Sequence, residues 1–136
     1  MKEQVSLRVC GVQRSAGSEE TTELRCEGVL KRTADGWLLA YEEPESAGER
    51  VSALLRCDGS RVTLTRRGTV RSEMVFAVGE RSSAVYALPA GSFTLELETD
   101  CIRSSLPAAL ELDYRLVHGG ETLSEHRLRF LLEAKP

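Results

Sequence analysis

Leu110-Glu111-Leu112-Asp113-Tyr114-Arg115-Leu116, followed after one more turn of alternation by Gly119-Gly120, decides the architecture. Apolar and charged residues exchange at every step, which is the period of a strand with one buried face. Two adjacent glycines both tolerate positive φ, so they suit a two-residue primed turn that feeds an antiparallel partner. The partner is the run Glu121 to Leu132. Its residues Leu123, Arg127, Phe130 and Leu131 could also line a helix, but His126, Leu128, Phe130 and Leu132 alternate with Arg127 and Arg129, and the preceding turn favours a strand.

Upstream the same pattern repeats. Gln4 to Val12 sets Val5, Leu7 and Val9 against Ser6 and Arg8, and the polar stretch Arg14 to Glu20 around Gly17 reads as a loop. From Thr22 to Lys31, Leu24, Cys26, Gly28 and Leu30 share a face, with Gly28 expected as a bulge or bend. Asp35-Gly36 is a strong hairpin signal, and Trp37, Leu39 and Tyr41 follow on one parity. Pro44 to Glu49 reads as a loop. Val51, Ala53, Leu55 and Cys57 lead to a second pair, Asp58-Gly59, and Val62 and Leu64 return.

Gly68 ends that strand, and Val70, Met74, Phe76 and Val78 share a parity on the next. After Gly79 come Ala84, Tyr86 and Leu88, a turn at Pro89-Ala90-Gly91, and Phe93, Leu95 and Leu97. A short strand around Ile102 is expected before Pro107. One-faced strands joined by short hairpins must hide their apolar side between two sheets or inside a closed barrel. Sequential connectivity favours closure, because a closed meander leaves no exposed edge. The expected fold is all-β: a closed antiparallel up-and-down barrel of about 8–10 strands forming one domain over residues 1–136, wide enough for side chains or one small ligand.

Composition excludes more than it names. Charged residues are 29% of the chain, aromatics 5%, and the net charge is -3, so no basic excess points to nucleic acid. No uncharged stretch is long enough for a membrane span, and the first residues lack the apolar core of a signal peptide, so a cytoplasmic setting is expected. Cys10, Cys26, Cys57 and Cys101 are too far apart for CxxC pairs, and they lack metal spacing with His118 and His126. They read as buried packing residues or free thiols, and no metal or cofactor is expected.

Tyr41-Glu42-Glu43, Arg66-Arg67-Gly68, the stretch Tyr86 to Phe93 running on to Thr99, and Leu110 to Leu116 with Tyr114 inside it occur in order along the chain. Together they resemble the YwiB-like family of uncharacterised bacterial β-barrel proteins. The resemblance implies a calycin- or lipocalin-like barrel and, since no activity is established for that family, no reaction. One position departs from its pattern: Leu88 stands before Pro89 where the family has threonine, so a hydroxyl is missing there.

Parity then singles out a few side chains. Tyr41 and Glu43 share the side of Trp37 and Leu39, and Arg66 shares that of Val62 and Leu64. If those sides face the lumen, a carboxylate and a guanidinium face it too. Buried charge must be paired or solvated, so Glu43 and Arg66 are expected to form a polar station inside the barrel or at its mouth, assisted by Tyr41, Tyr86 and Tyr114. His126, on an apolar parity, joins the candidate ligand-binding set. The plain alternative is that these residues only plug one end.

No nucleophile elbow, Walker loop or Rossmann fingerprint is present, and no catalytic residue is assigned. Two functions of different class remain. One is a carrier or sensor holding a small, partly apolar molecule, with an acidic group answering Arg66. The other is a filled barrel used as a structural or protein-interaction module, for which a homodimer is one form. An enzyme is the least supported, since it would need His126 and Glu43 within reach of one point in the cavity.

Overall fold

The structure is a computed structural model that describes residues 2–46, 49–68 and 70–135. It consists of ten strands and, among the described residues, no helix, so no helix is long and apolar enough to cross a membrane. The strands are β1 (Lys2–Ser15), β2 (Ser18–Arg32), β3 (Gly36–Ser46), β4 (Glu49–Asp58), β5 (Arg61–Arg67), β6 (Arg71–Ala77), β7 (Arg81–Leu88), β8 (Gly91–Ser105), β9 (Ala109–His118) and β10 (Glu121–Ala134). Each pairs antiparallel with its chain neighbour, and β1 pairs with β10 to close the barrel. Odd-numbered strands run toward one end, called the mouth, and even-numbered strands toward the other, the base.

Alternation does what the sequence leads one to expect. Val5, Leu7 and Val9 of β1, Leu55 of β4, Val62 and Leu64 of β5, and Leu110, Leu112 and Tyr114 of β9 are buried, and the residues between them are more open. Phe76, Phe130, Leu30, Leu39, Leu55 and Leu97 are fully buried, mostly in the halves of their strands nearer the base. The base half of the lumen is therefore packed solid. At the mouth, Gly119 and Gly120 take φ of 59° and 81°, the primed turn that the paired glycines suggest.

Several boundaries differ from expectation. The loop expected over Arg14 to Glu20 is only the turn Ala16-Gly17 (φ 47° and 79°), because the β1–β2 ladder continues through polar residues to Ser15↔Ser18. Backbone pairing does not need an apolar face. Likewise β3 runs to Ser46 and β4 starts at Glu49 within the expected Pro44–Glu49 loop; Ala47 and Gly48 of that stretch lie outside the described residues. Gly28 keeps a continuous register with both Val5 and Tyr41 and is no bulge; a Cβ there would meet Ala40 O at 3.0 Å, so glycine permits close approach of β3.

Asp35-Gly36 is not a two-residue primed turn. The last β2–β3 rung is Arg32↔Trp37, Thr33 N–H donates to Gly36 O at 2.9 Å, and Gly36 already pairs with Asp58 of β4. Glycine is demanded by space here: a Cβ would lie 1.9 Å from Cys57 O.

The expected short strand at Ile102 is the far part of β8, which continues past a bulge between Thr99 and Cys101. That extra residue flips the parity, so Leu97 and Thr99 point inward before the bulge and Ile102 after it. Val70 and Val78, expected on the inner parity of β6, lie outside that strand and are exposed. Instead Ala77 N–H donates to Thr99 Oγ1 at 3.1 Å, anchoring the end of β6 to β8.

Outer residues of β8, β9 and β10 carry a mixed-charge lattice, including Arg115–Asp100 at 3.0 Å and Arg127–Asp113 at 3.1 Å. Solvent-exposed pairs of this kind contribute little individually.

Candidate functional site at the barrel mouth

Register converts parity into place. Tyr41 of β3 opposes Ala53 of β4, which opposes Arg66 of β5, which opposes Ser72 of β6, which opposes Tyr86 of β7. On the far wall Tyr114 of β9 opposes His126 of β10. These inward-facing residues lie above the apolar base, in the mouth half of the barrel. Two T-shaped ring contacts join the polar tier to that base: Tyr41 against Phe130 (centroids 6.4 Å) and Tyr114 against Phe76 (4.9 Å).

Arg66 is the hub. Its Nε lies 2.9 Å from Glu43 Oε2, and the side chains of Arg66 and Glu43 remain 32% and 23% exposed. The two groups are in charge contact, with Arg66 Nε and Glu43 Oε2 buried and poorly aligned for a hydrogen bond, and the buried Tyr41 OH lies close enough to the Arg66 guanidinium for the two to influence each other as a loosely aligned hydrogen-bonding pair. Burial works against the guanidinium charge, but Tyr41, Glu43 and Tyr114 around it more than offset that, and the Arg66 pKa stays raised. Arg66 remains a cation.

The tyrosines stay protonated for the opposite reason. Burial pushes the Tyr41 and Tyr114 phenols each up to about 12, against the charge of Arg66, which favours the phenolate. Tyr86 is also raised, again by burial. Its ring stacks on Phe93 at 5.0 Å. Cys26, which the sequence reading did not place here, faces the same cluster; burial, and then Glu43, raise its thiol pKa, so it is a poor nucleophile.

His126 lies flat on Tyr114, with centroids 4.7 Å apart and planes 4° apart, and its Nε2 shares a 2.7 Å hydrogen bond with Ser124 Oγ. Burial lowers its pKa. The unfolded chain therefore binds a proton here more readily than the folded one, so stability falls as pH drops below about 6.5. His126→Gln is expected to flatten that acid limb when unfolding is followed between about pH 7 and about pH 5. An unchanged limb would mean that the imidazole is not the group responsible.

Between these walls is a hollow of about 270 Å³, lined by Arg66, Tyr86, Tyr114 and His126 over Leu64, Met74 and Leu128, with Gly11, Gln13, Glu20 and Thr22 of the β1–β2 hairpin along one side. Tyr41 and Glu43 do not line it; they stand behind Arg66. Of these hairpin residues, only Glu20 falls in the polar stretch that reads as loop; Gly11 and Thr22 lie within the expected strands, but without an apolar side chain they carry no mark of the inner face, although parity from Val9 and Leu24 turns all four inward. Among the described residues no cluster of His, Cys, Asp and Glu could hold a metal ion, and no hydrogen bond or ion pair joins His126 to Glu43.

Comparisons with known proteins agree with the barrel. A family model described as "Domain of unknown function (DUF1934)" matches residues 7–130. The crystal structure of ywiB protein from Bacillus subtilis superposes with a TM-score of 0.83 at 23% sequence identity, covering 99% of this chain and 94% of that one. No curated protein matches the chain.

Proposed function

The chain belongs to the DUF1934 family, the YwiB-like barrels whose function is uncharacterised, and we propose that it binds a small, partly apolar molecule in the mouth half of its lumen. The observation that carries this reading is the hollow of about 270 Å³ that sets the Arg66 guanidinium, two phenols and an imidazole over an apolar floor, with Arg127 at its edge. Ligand sites pair an apolar lining with a few converging polar groups, usually at volumes from about 300 Å³ upward; at about 270 Å³ the hollow falls just under that range and suits only a small molecule. Lipocalin-type barrels likewise hold one small ligand.

The rim supports an apolar component. Leu88 and Phe93 are 40% and 47% exposed at the β7–β8 hairpin, next to Tyr86, and Val70 is exposed at the neighbouring connection. Unlike scattered surface residues, these sit together on the mouth above the hollow. The four free cysteines support a reducing, cytoplasmic setting for this binding.

An uncharged fluorescent probe, N-phenyl-1-naphthylamine, is expected to bind the wild-type protein and brighten. Gly11 faces the hollow, and a Cβ there would meet only Thr22 Oγ1 at 2.9 Å, the end of a side chain that can turn, and Leu128 Cδ1 at 3.8 Å. Gly11→Leu should therefore put its side chain into the hollow and weaken the probe at least about tenfold. Probe binding unaffected by that change, or no binding by the wild type, would remove the lumen from consideration.

A further inference from the structure

The outer wall of the barrel has two unlike halves. Around β8, β9 and β10 the charges answer one another within the chain, as in Arg115–Glu98 at 3.1 Å and Arg129–Glu111 at 3.5 Å. Around β3 to β6 charge is sparser and unanswered. Among the described residues the side chains of Glu42, Arg56, Arg67, Arg71 and Glu73 have no ion pair, although all five are exposed.

Register lays this half out in rows. The middle row runs from β2 to β7 as Val29, Ala40, Leu54, Thr65, Glu73 and Val85. Each faces away from the lumen, because a buried core residue stands next to it in the strand. Nearer the base the row is Leu38, Arg56, Thr63 and Val75. Nearer the mouth it is Glu42, Ser52 and Arg67, with Arg71 level with them because Ser72 opposes Arg66. Between β3 and β6 the two lower rows hold only two charges, Arg56 and Glu73, and Val29, Leu54 and Val85 are large apolar side chains left open along the middle row. Adjacent exposed apolar residues of this kind mark an interaction surface more than scattered ones do.

We propose that this wall is where two copies of the chain pair, about a twofold axis lying along the β4–β5 seam. Such a contact is isologous, so whatever β3 presents meets the β6 of the other copy, and the converse. Leu38 then meets the partner's Val75, Leu54 the partner's Thr65, and Val29 the partner's Val85. Glu42 meets the partner's Arg71, once in each direction, and Arg56 lies diagonally across from the partner's Glu73. An axis along β4 would set Arg56 against its own copy, and one along β5 would do the same to Arg67. An axis across the strands at the middle row would set Glu73 against itself. The seam is the placement that separates like charges and answers unpaired ones. This self-complementarity selects a second copy as the occupant.

Six strands and three rows span about 24 by 14 Å at the backbone. With side chains, each copy offers on the order of 600 Å², close to the lower bound for a specific interface. The contact is a modest one, with an expected Kd of about 10 μM. An axis parallel to the strands leaves both mouths facing the same way and uncovered, so pairing is independent of what the lumen holds.

Sedimentation velocity of the full chain at about 100 μM, where such a Kd leaves most chains paired, is expected to give twice the mass of one chain. Leu54→Glu, a change at an exposed side chain, is expected to give the single mass. Arg71→Glu and Glu42→Arg each set like charges face to face twice, and each should raise the Kd at least about tenfold. Both changes in one chain should restore the dimer, and mixing the two single variants should form a mixed dimer. A monomeric wild type at that concentration overturns the inference and leaves the wall to a partner of other chemistry or to water. A dimer that Leu54→Glu leaves intact also overturns it, by placing the contact elsewhere, and so does a double variant that stays monomeric. The wild-type mass needs no variant, and recovery in the double variant could not arise from misfolding.

Discussion

Phe130→Ala is expected to lower unfolding stability by about 3–5 kcal/mol, the usual cost of deleting a buried phenyl group and leaving a cavity. Phe130 is 0% exposed, and it lies where the barrel closes, opposite Val9 of β1 and Leu110 of β9. Its ring also supports Tyr41 edge-on. Removing it would loosen both the seam and the floor beneath the polar tier. A domain of this size has only about 5–15 kcal/mol in total, so the variant should unfold at much lower denaturant. Leu123→Ala on the same strand is the control: Leu123 is 46% exposed and should change stability by no more than about 0.5 kcal/mol. Similar losses for the two would mean that the base is not packed as described.

Alkali should produce the second large effect. Tyr41 and Tyr114 have phenol pKa values of about 12 in the folded chain, against 10 for an open tyrosine. A raised folded pKa means that the folded state keeps a proton the unfolded state has released. Stability from this source is complete below pH 10 and is lost as pH rises through about 12. Two units correspond to roughly 2–3 kcal/mol for each tyrosine. Denaturant unfolding followed from about pH 9 to about pH 12 should therefore show a steep decline in the wild type, and Tyr41→Phe with Tyr114→Phe should remove most of it. A decline that persists in the double variant would assign alkaline unfolding to other groups.

Much of this was legible because a strand's period is two. Parity placed Tyr41, Glu43 and Arg66 on the inner side, and short hairpins fixed the neighbours of each strand; register then brought β3 and β5 together across β4, where Glu43 and Arg66 pair. The stack of His126 on Tyr114 needed one fact more. It depends on the β9–β10 register beyond the irregularity between Thr122 and Ser124, which no propensity marks. The bulge between Thr99 and Cys101 is similar: Asp100 has no special backbone chemistry, and only the β8–β9 pairing shows that Ile102 returns to the lumen side.

Polar inner positions were the hardest to read. Gly11, Gln13, Glu20 and Thr22 carry no apolar signal, so hydrophobic alternation stops the strands short of Gln13 and Glu20 and leaves the inward side of Gly11 and Thr22 unmarked. Yet these are the residues that give the hollow one of its sides. The two phenylalanines at the base raised no such problem, because their apolar parity and their burial point the same way.

Native mass spectrometry of the protein isolated from its own cells tests the central claim most directly. A single bound species of small mass, present on the wild type and absent from Gly11→Leu, is the predicted outcome. Bare protein for both, taken together with no uptake of the uncharged probe, would contradict it and leave a barrel whose mouth holds only its own side chains.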